Sequence, residues 1–118
     1  MQKVAVIVLA DNETHSDMGR IANALEVAKE FKEGGDQVKM IFDGAGTKWV
    51  GTLADKENQM HPLYEAIKEN IEGACHFCAG AFGVRNEVEK AGIPFLKDYD
   101  GHPSIKKYVD AGYQVITF

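Results

Sequence analysis

Few residues in this sequence break regular structure or staple it. Only 3 of 118 residues are proline and only 2 are cysteine. Two cysteines exclude the disulfide-dense scaffolds that small secreted domains use in place of a core. Basic charge is also short: 13 Lys and Arg against 18 Asp and Glu give a formal net charge of −5. An acidic chain repels phosphate backbones and anionic lipid heads, so no nucleic-acid or membrane partner is expected. No apolar run approaches the roughly 20 residues that span a bilayer. Disorder needs low hydrophobicity with high net charge, and a chain 45% hydrophobic and 26% charged does not have that balance.

The remaining pattern is one of alternation. A continuous apolar run at Lys3–Ala10, rich in β-branched residues, suits a strand buried on both faces. Its position near Met1 imitates a signal peptide. It runs into Asp11, Asn12 and Glu13 without a small-residue cleavage site, so a buried strand and a cytoplasmic protein are expected. Met18–Glu33 follows with Ile21, Leu25 and Ala28 at helical spacing, and Gly34-Gly35 stops it. Gln37–Phe42 is the next strand, then a turn at Asp43–Gly46 and a short helical piece around Trp49 and Leu53. Pro62–Glu72 reads as a helix closed by Gly73, Ala74–Cys78 as a third strand and Val84–Ala91 as a helix whose start could lie as far back as Ala79. Ile93–Leu96, Pro103–Ala111 and Tyr113–Phe118 then read as strand, helix and strand. The whole, residues 1–118, is expected to be a single α/β domain: a three-layer α/β/α sandwich with a mainly parallel sheet of about five strands.

Ligand chemistry in such sheets gathers beyond the carboxyl ends of the strands. On this reading that edge collects the loops Asp11–Asp17, Asp43–Thr47, Cys78–Gly83 and Lys97–His102. Cys78 would sit where a strand gives way to a helix, followed by Ala79-Gly80-Ala81. A helix N-terminus holds anions, and can bring a cysteine from about 8.5 into the range of about 3.5–7.5, which makes Cys78 the candidate nucleophile. The competing reading is that both thiols are small core hydrophobes, since free cysteine is among the most buried residue types.

Cys75 lies three positions earlier, so in an extended segment the two side chains point to opposite faces. That disfavours a dithiol redox pair, which needs a helix starting near His76 with Gly80 and Gly83 in its first turns. Zinc is disfavoured too, because His15, His61, His76 and His102 are scattered without ligand spacing; no metal is assigned. Gly44-Ala45-Gly46-Thr47-Lys48 lacks the full phosphate-loop pattern and reads as a turn. The acidic loop after the first strand gives a flavin phosphate no support, and no cofactor is assigned. His15 and His102 are candidate neighbours of the thiol as proton donors or cations, against the simpler reading of solvated loop histidines. His76 reads as a strand histidine with its own hydrogen bond, and His61 as part of a helix entry. Trp49 and Met60 read either as core or as apolar residues of an oligomer interface.

Four segments in order resemble a known family. They are Lys3–Leu9 opening into an acidic loop, Ile21–Phe31 followed by Gly35–Gly44, Cys78-Ala79-Gly80-Ala81-Phe82-Gly83-Val84, and the closing Tyr113–Phe118. The chain is identified on them as resembling the DsrE/DsrF-like family of small sulfur-relay proteins, which includes the TusD-type subunits. The resemblance implies a fold close to flavodoxin-like and a homo- or hetero-oligomer, often a trimer or hexamer. It also implies a persulfide carried on Cys78 between a protein sulfur donor and acceptor. Gly80 stands where many active relatives have Asn, and Cys75 is an additional thiol. Some relatives lack the cysteine and act as binding subunits, so three functions stay open: sulfur carrier, non-catalytic oligomeric subunit and dithiol redox protein.

Overall fold

The computed structural model describes Met1–Phe118 and has five strands and six α-helices. Strand β1 (Lys3–Val8) leads to helix α1 (His15–Glu33), then strand β2 (Gln37–Phe42), helix α2 (Trp49–Ala54) and helix α3 (His61–Ile67). Strand β3 (Ile71–Cys75) is followed by helices α4 (His76–Ala81) and α5 (Arg85–Lys90). Strand β4 (Phe95–Leu96), helix α6 (Ile105–Asp110) and strand β5 (Gln114–Thr117) complete the chain. All neighbouring strands pair in parallel, in the order β4-β3-β2-β1-β5.

Parallel pairing buries both sheet faces under crossover helices, and side chains alternate between them. Val4, Val6 and Val8 with Val38, Met40 and Phe42 face a cluster shared with Ile21, Leu25, Trp49, Leu53 and Ile67. Ala5, Ile7 and Ile41 face the other way, against Tyr108 of α6. The result is the expected three-layer α/β/α sandwich. No helix is long and apolar enough to cross a membrane.

Helix α1 begins three residues before the expected Met18. Thr14 accepts from the Asp17 N–H at 3.1 Å, and Asp17 Oδ2 accepts from the Thr14 N–H at 3.1 Å, a reciprocal cap that fixes the first turn. The expected turn after β2 is a tight 3₁₀ turn over Gly44–Lys48. Trp49 and Met60 are core residues, and Trp49 Nε1 donates to the Asp11 carbonyl at 2.9 Å.

The largest correction concerns β3. The expected helix ends at Ile67, continuing only as a 3₁₀ turn to Asn70, and the strand is Ile71–Cys75 rather than Ala74–Cys78. Leu63, Ile67 and Ile71 sit four apart and imitate a helical stripe. Gly73 is no helix stop. It is a strand glycine beside β4, where a Cβ would lie 2.6 Å from the Pro94 carbonyl oxygen.

Gly46 meets a similar constraint in the turn after β2, where a Cβ would overlap the carbonyl of Val8. Gly19, mid-helix in α1, has open space around the same position. Opposite signs are therefore expected for one substitution. Gly46→Ala should destabilise by about 2–3 kcal/mol, while Gly19→Ala should stabilise by about 0.5–1 kcal/mol. Urea unfolding of both variants checks this; equal effects would contradict the close approach of the turn to β1.

Candidate functional site

Strand β3 passes into α4 without a connecting loop, and Cys75 is the residue at the junction. It caps the helix: the Cys78 N–H donates to Cys75 Sγ at 3.3 Å. Cys78 is thus in the first turn of a helix instead of the last position of a strand. The opposite-face argument falls with the strand boundary, and both sulfurs meet on one side. A first-turn N–H was expected to face the Cys78 sulfur; instead the N–H of Cys78 itself points at Cys75 Sγ.

Two further side chains complete the cluster. Asp43, just after β2, accepts from the Cys78 thiol at 3.5 Å, and its Oδ1 also accepts from the Gly44 N–H at 2.9 Å. His102 brings Nδ1 to 3.3 Å from Cys75 Sγ and 4.0 Å from Cys78 Sγ. One donor atom from each of Asp43, Cys75, Cys78 and His102 lies within 4.8 Å of all the others. Cys75 is fully buried; the other three are half-buried.

His102 is held by a tight loop. Tyr99 and His102 exchange backbone hydrogen bonds of 2.8 and 2.9 Å across Asp100 and Gly101, both at positive φ (51° and 83°). The Gly101 carbonyl accepts from the Phe77 N–H at 2.9 Å, which fastens this loop onto α4. The Phe77 ring packs against the imidazole with centroids 4.9 Å apart.

Burial pushes the Cys75 thiol up to about 12; the Cys78 N–H acts in the opposite direction, while Asp43 and Cys78 add to the rise. Cys78 is the accessible member of the pair.

The remaining expected residues do not join the cluster. His15 is exposed at the start of α1 and outside the four donors. Gly80 turns toward Arg85, whose guanidinium occupies the space a Cβ would need and donates twice, at 3.3 Å, to the His76 carbonyl. His76 itself stacks edge-on against Phe95, and burial followed by the charges of Arg85 and Lys97 lowers its affinity for a proton. His61 is at the entry to α3 as expected, with Nδ1 2.8 Å from the Leu53 carbonyl. Asp43 had no signal of its own beyond lying in a loop at the carboxyl edge of the sheet. A cleft of about 900 Å³ lies apart, between α2 and α5, and none of the four donor residues lines it.

The uncharacterized protein MJ0733 of Methanocaldococcus jannaschii is 32% identical over 115 residues, covering 97% of this chain and 93% of that protein. The chain belongs to the family of that archaeal protein. No protein-family model matches it. Two solved structures share the fold at 17% identity. BT1422, a conserved protein of unknown function from Bacteroides thetaiotaomicron, superposes with a TM-score of 0.64 over 97% of this chain and 94% of its own. The ychN protein from E. coli superposes with a TM-score of 0.62 over the full length of both chains.

The unequal exposure of the two thiols has a direct chemical consequence. Iodoacetamide at neutral pH should alkylate Cys78 at least about tenfold faster than Cys75, because exposure and thiolate fraction control the rate. Peptide mapping of the native, reduced protein reads the ratio; equal labelling of both would contradict the buried placement of Cys75.

Proposed function

We propose that this protein is a sulfur carrier of the DsrE/DsrF-like kind, with Cys78 as the carrying residue. The observation that supports it best is an accessible thiol in the first turn of α4, at the carboxyl edge of a parallel sheet, flanked by an imidazole and a carboxylate. In the proposed reaction Cys78 loses its proton to Asp43 or solvent. The thiolate attacks the outer sulfur of a donor persulfide, R–S–SH. The donor S–S bond breaks, its electron pair leaves with the R–S sulfur, and a new S–S bond forms at Cys78. An acceptor thiolate then takes the outer sulfur and regenerates the Cys78 thiol. No net oxidation occurs. A protonated His102 would stabilise the anionic forms on either side of the transfer.

A dithiol reading draws support from the capping geometry that brings Cys75 to Cys78. Attack of Cys75 on the inner sulfur of the Cys78 persulfide would expel hydrosulfide and leave a Cys75–Cys78 disulfide, which a thiol reductant must then open. Exposed apolar side chains also fit a homo-oligomer of the trimeric or hexameric kind. Leu9, Phe77 and Phe82 are 45%, 54% and 41% exposed, and the two phenylalanines flank Cys78 in sequence.

Incubation of the reduced protein with a persulfide donor, followed by intact-mass and peptide analysis, tests the reading. A gain of about 32 Da on Cys78 is expected for wild type and for Cys75→Ser, with none for Cys78→Ser. Light scattering of the same wild-type sample should give a multiple of the single-chain mass. A Cys75–Cys78 disulfide without sulfur retention favours the dithiol reading. An unmodified Cys78 contradicts both.

A further inference from the structure

The ligand spacing in the sequence argued against zinc because the histidines are scattered. Folding removes that objection. Four donors of the types that bind borderline-soft divalent ions, two sulfurs, an imidazole nitrogen and a carboxylate oxygen, converge from the turn after β2, the β3–α4 junction and the loop before α6. We infer that Asp43, Cys75, Cys78 and His102 form a mononuclear zinc-class metal site.

The separations between the donors are close to those such a centre needs. Metal–sulfur bonds of about 2.3 Å and metal–nitrogen or –oxygen bonds of about 2.0–2.1 Å give a tetrahedron with edges of about 3.4–3.8 Å. The separations of 3.3 Å (Cys75–His102), 3.5 Å (Cys78–Asp43) and 4.0 Å (Cys78–His102) bracket that length. Three of the four ligands also have a partner that would orient them around an ion. The Cys78 N–H points at Cys75 Sγ, the Gly44 N–H at Asp43 Oδ1, and the Phe77 ring abuts the imidazole.

The chemistry is consistent in charge and protons. Both thiols must lose their protons to the medium as the ion binds, an exchange driven by the ion's own charge. The imidazole would bind neutral through Nδ1 and the carboxyl group as its anion. Two positive charges then meet three negative ones, and the centre carries a single negative charge. No electron is transferred.

Metal occupancy engages the same sulfur that would carry persulfide, so the two forms exclude each other. The site itself does not depend on the sulfur-carrier reading. Zinc would hold the thiols in a protected state, and a chelator or competing thiol would release them.

Cobalt(II) titration of the reduced, metal-free full chain tests the site. One equivalent should produce a near-ultraviolet thiolate-to-cobalt charge-transfer band and the strong visible absorption of tetrahedral cobalt, and one equivalent of zinc should bleach both. His102→Ala and Asp43→Asn leave the sulfurs in place and should weaken zinc binding by about 100-fold or more in chelator competition, since even outer-shell changes cost about 10–100-fold. Absence of the charge-transfer band in the parent chain would overturn the inference. So would parental zinc affinity in both variants, confirmed as folded by circular dichroism. Sulfur loading of the same metal-free sample is a separate readout, and either property can fail without the other.

Discussion

The site depends on where one strand stops. If β3 ran on through Cys78, the two cysteines would alternate across the sheet and no cluster would form. The chain instead turns at Cys75, which spends its sulfur as the acceptor for the Cys78 N–H that the new helix leaves unpaired. A backbone satisfaction problem at a helix start thereby brings two sulfurs together. The cost falls on Cys75, whose burial makes its thiolate hard to form, while Cys78 keeps its access to the outside.

The other two members arrive through the topology. In a parallel sheet every strand ends at the same edge, so residues far apart in sequence meet there. Asp43 follows β2 and is fixed by the Gly44 N–H, in a turn that packs so closely on Val8 that no side chain fits at Gly46. His102 comes from the loop between β4 and α6, closed on itself by the Tyr99–His102 pair and tied to α4 through the Gly101 carbonyl. Acid, imidazole and thiols are therefore positioned by three separate backbone devices. Such a frame would suit the proposed persulfide and metal-bound states of Cys78.

Much of the fold was legible in the residues. The β-branched run of β1, the helical stripe of α1 and the apolar closing strand each declare their element, and their alternation implies the layered parallel sheet. The boundary of β3 was hidden because Ile71 continues the four-residue spacing of Leu63 and Ile67, and because Gly73 looks like a helix stop. Its reason for being glycine is the Pro94 carbonyl beside it, a contact that exists only after the sheet forms. The start of α1 was available in Thr14 and Asp17, whose spacing matches a reciprocal cap with Asp in the place of the usual Glu. Of the site, Cys78 and the carboxyl-edge loops could be read directly. The convergence of His102 on it was expected from its place in an edge loop, whereas that of Asp43, 35 positions away, has no local spacing to encode it.

That convergence can be observed without any ligand or partner. With the imidazole nitrogens of all four histidines assigned by NMR, Cys78 is blocked with iodoacetamide and the spectra compared. The Nδ1 resonance of His102 should shift, while those of His15 and His61, in α1 and α3, should stay in place. An unmoved His102 would mean that the imidazole does not stand beside the sulfurs, and the clustered site would be contradicted at its centre.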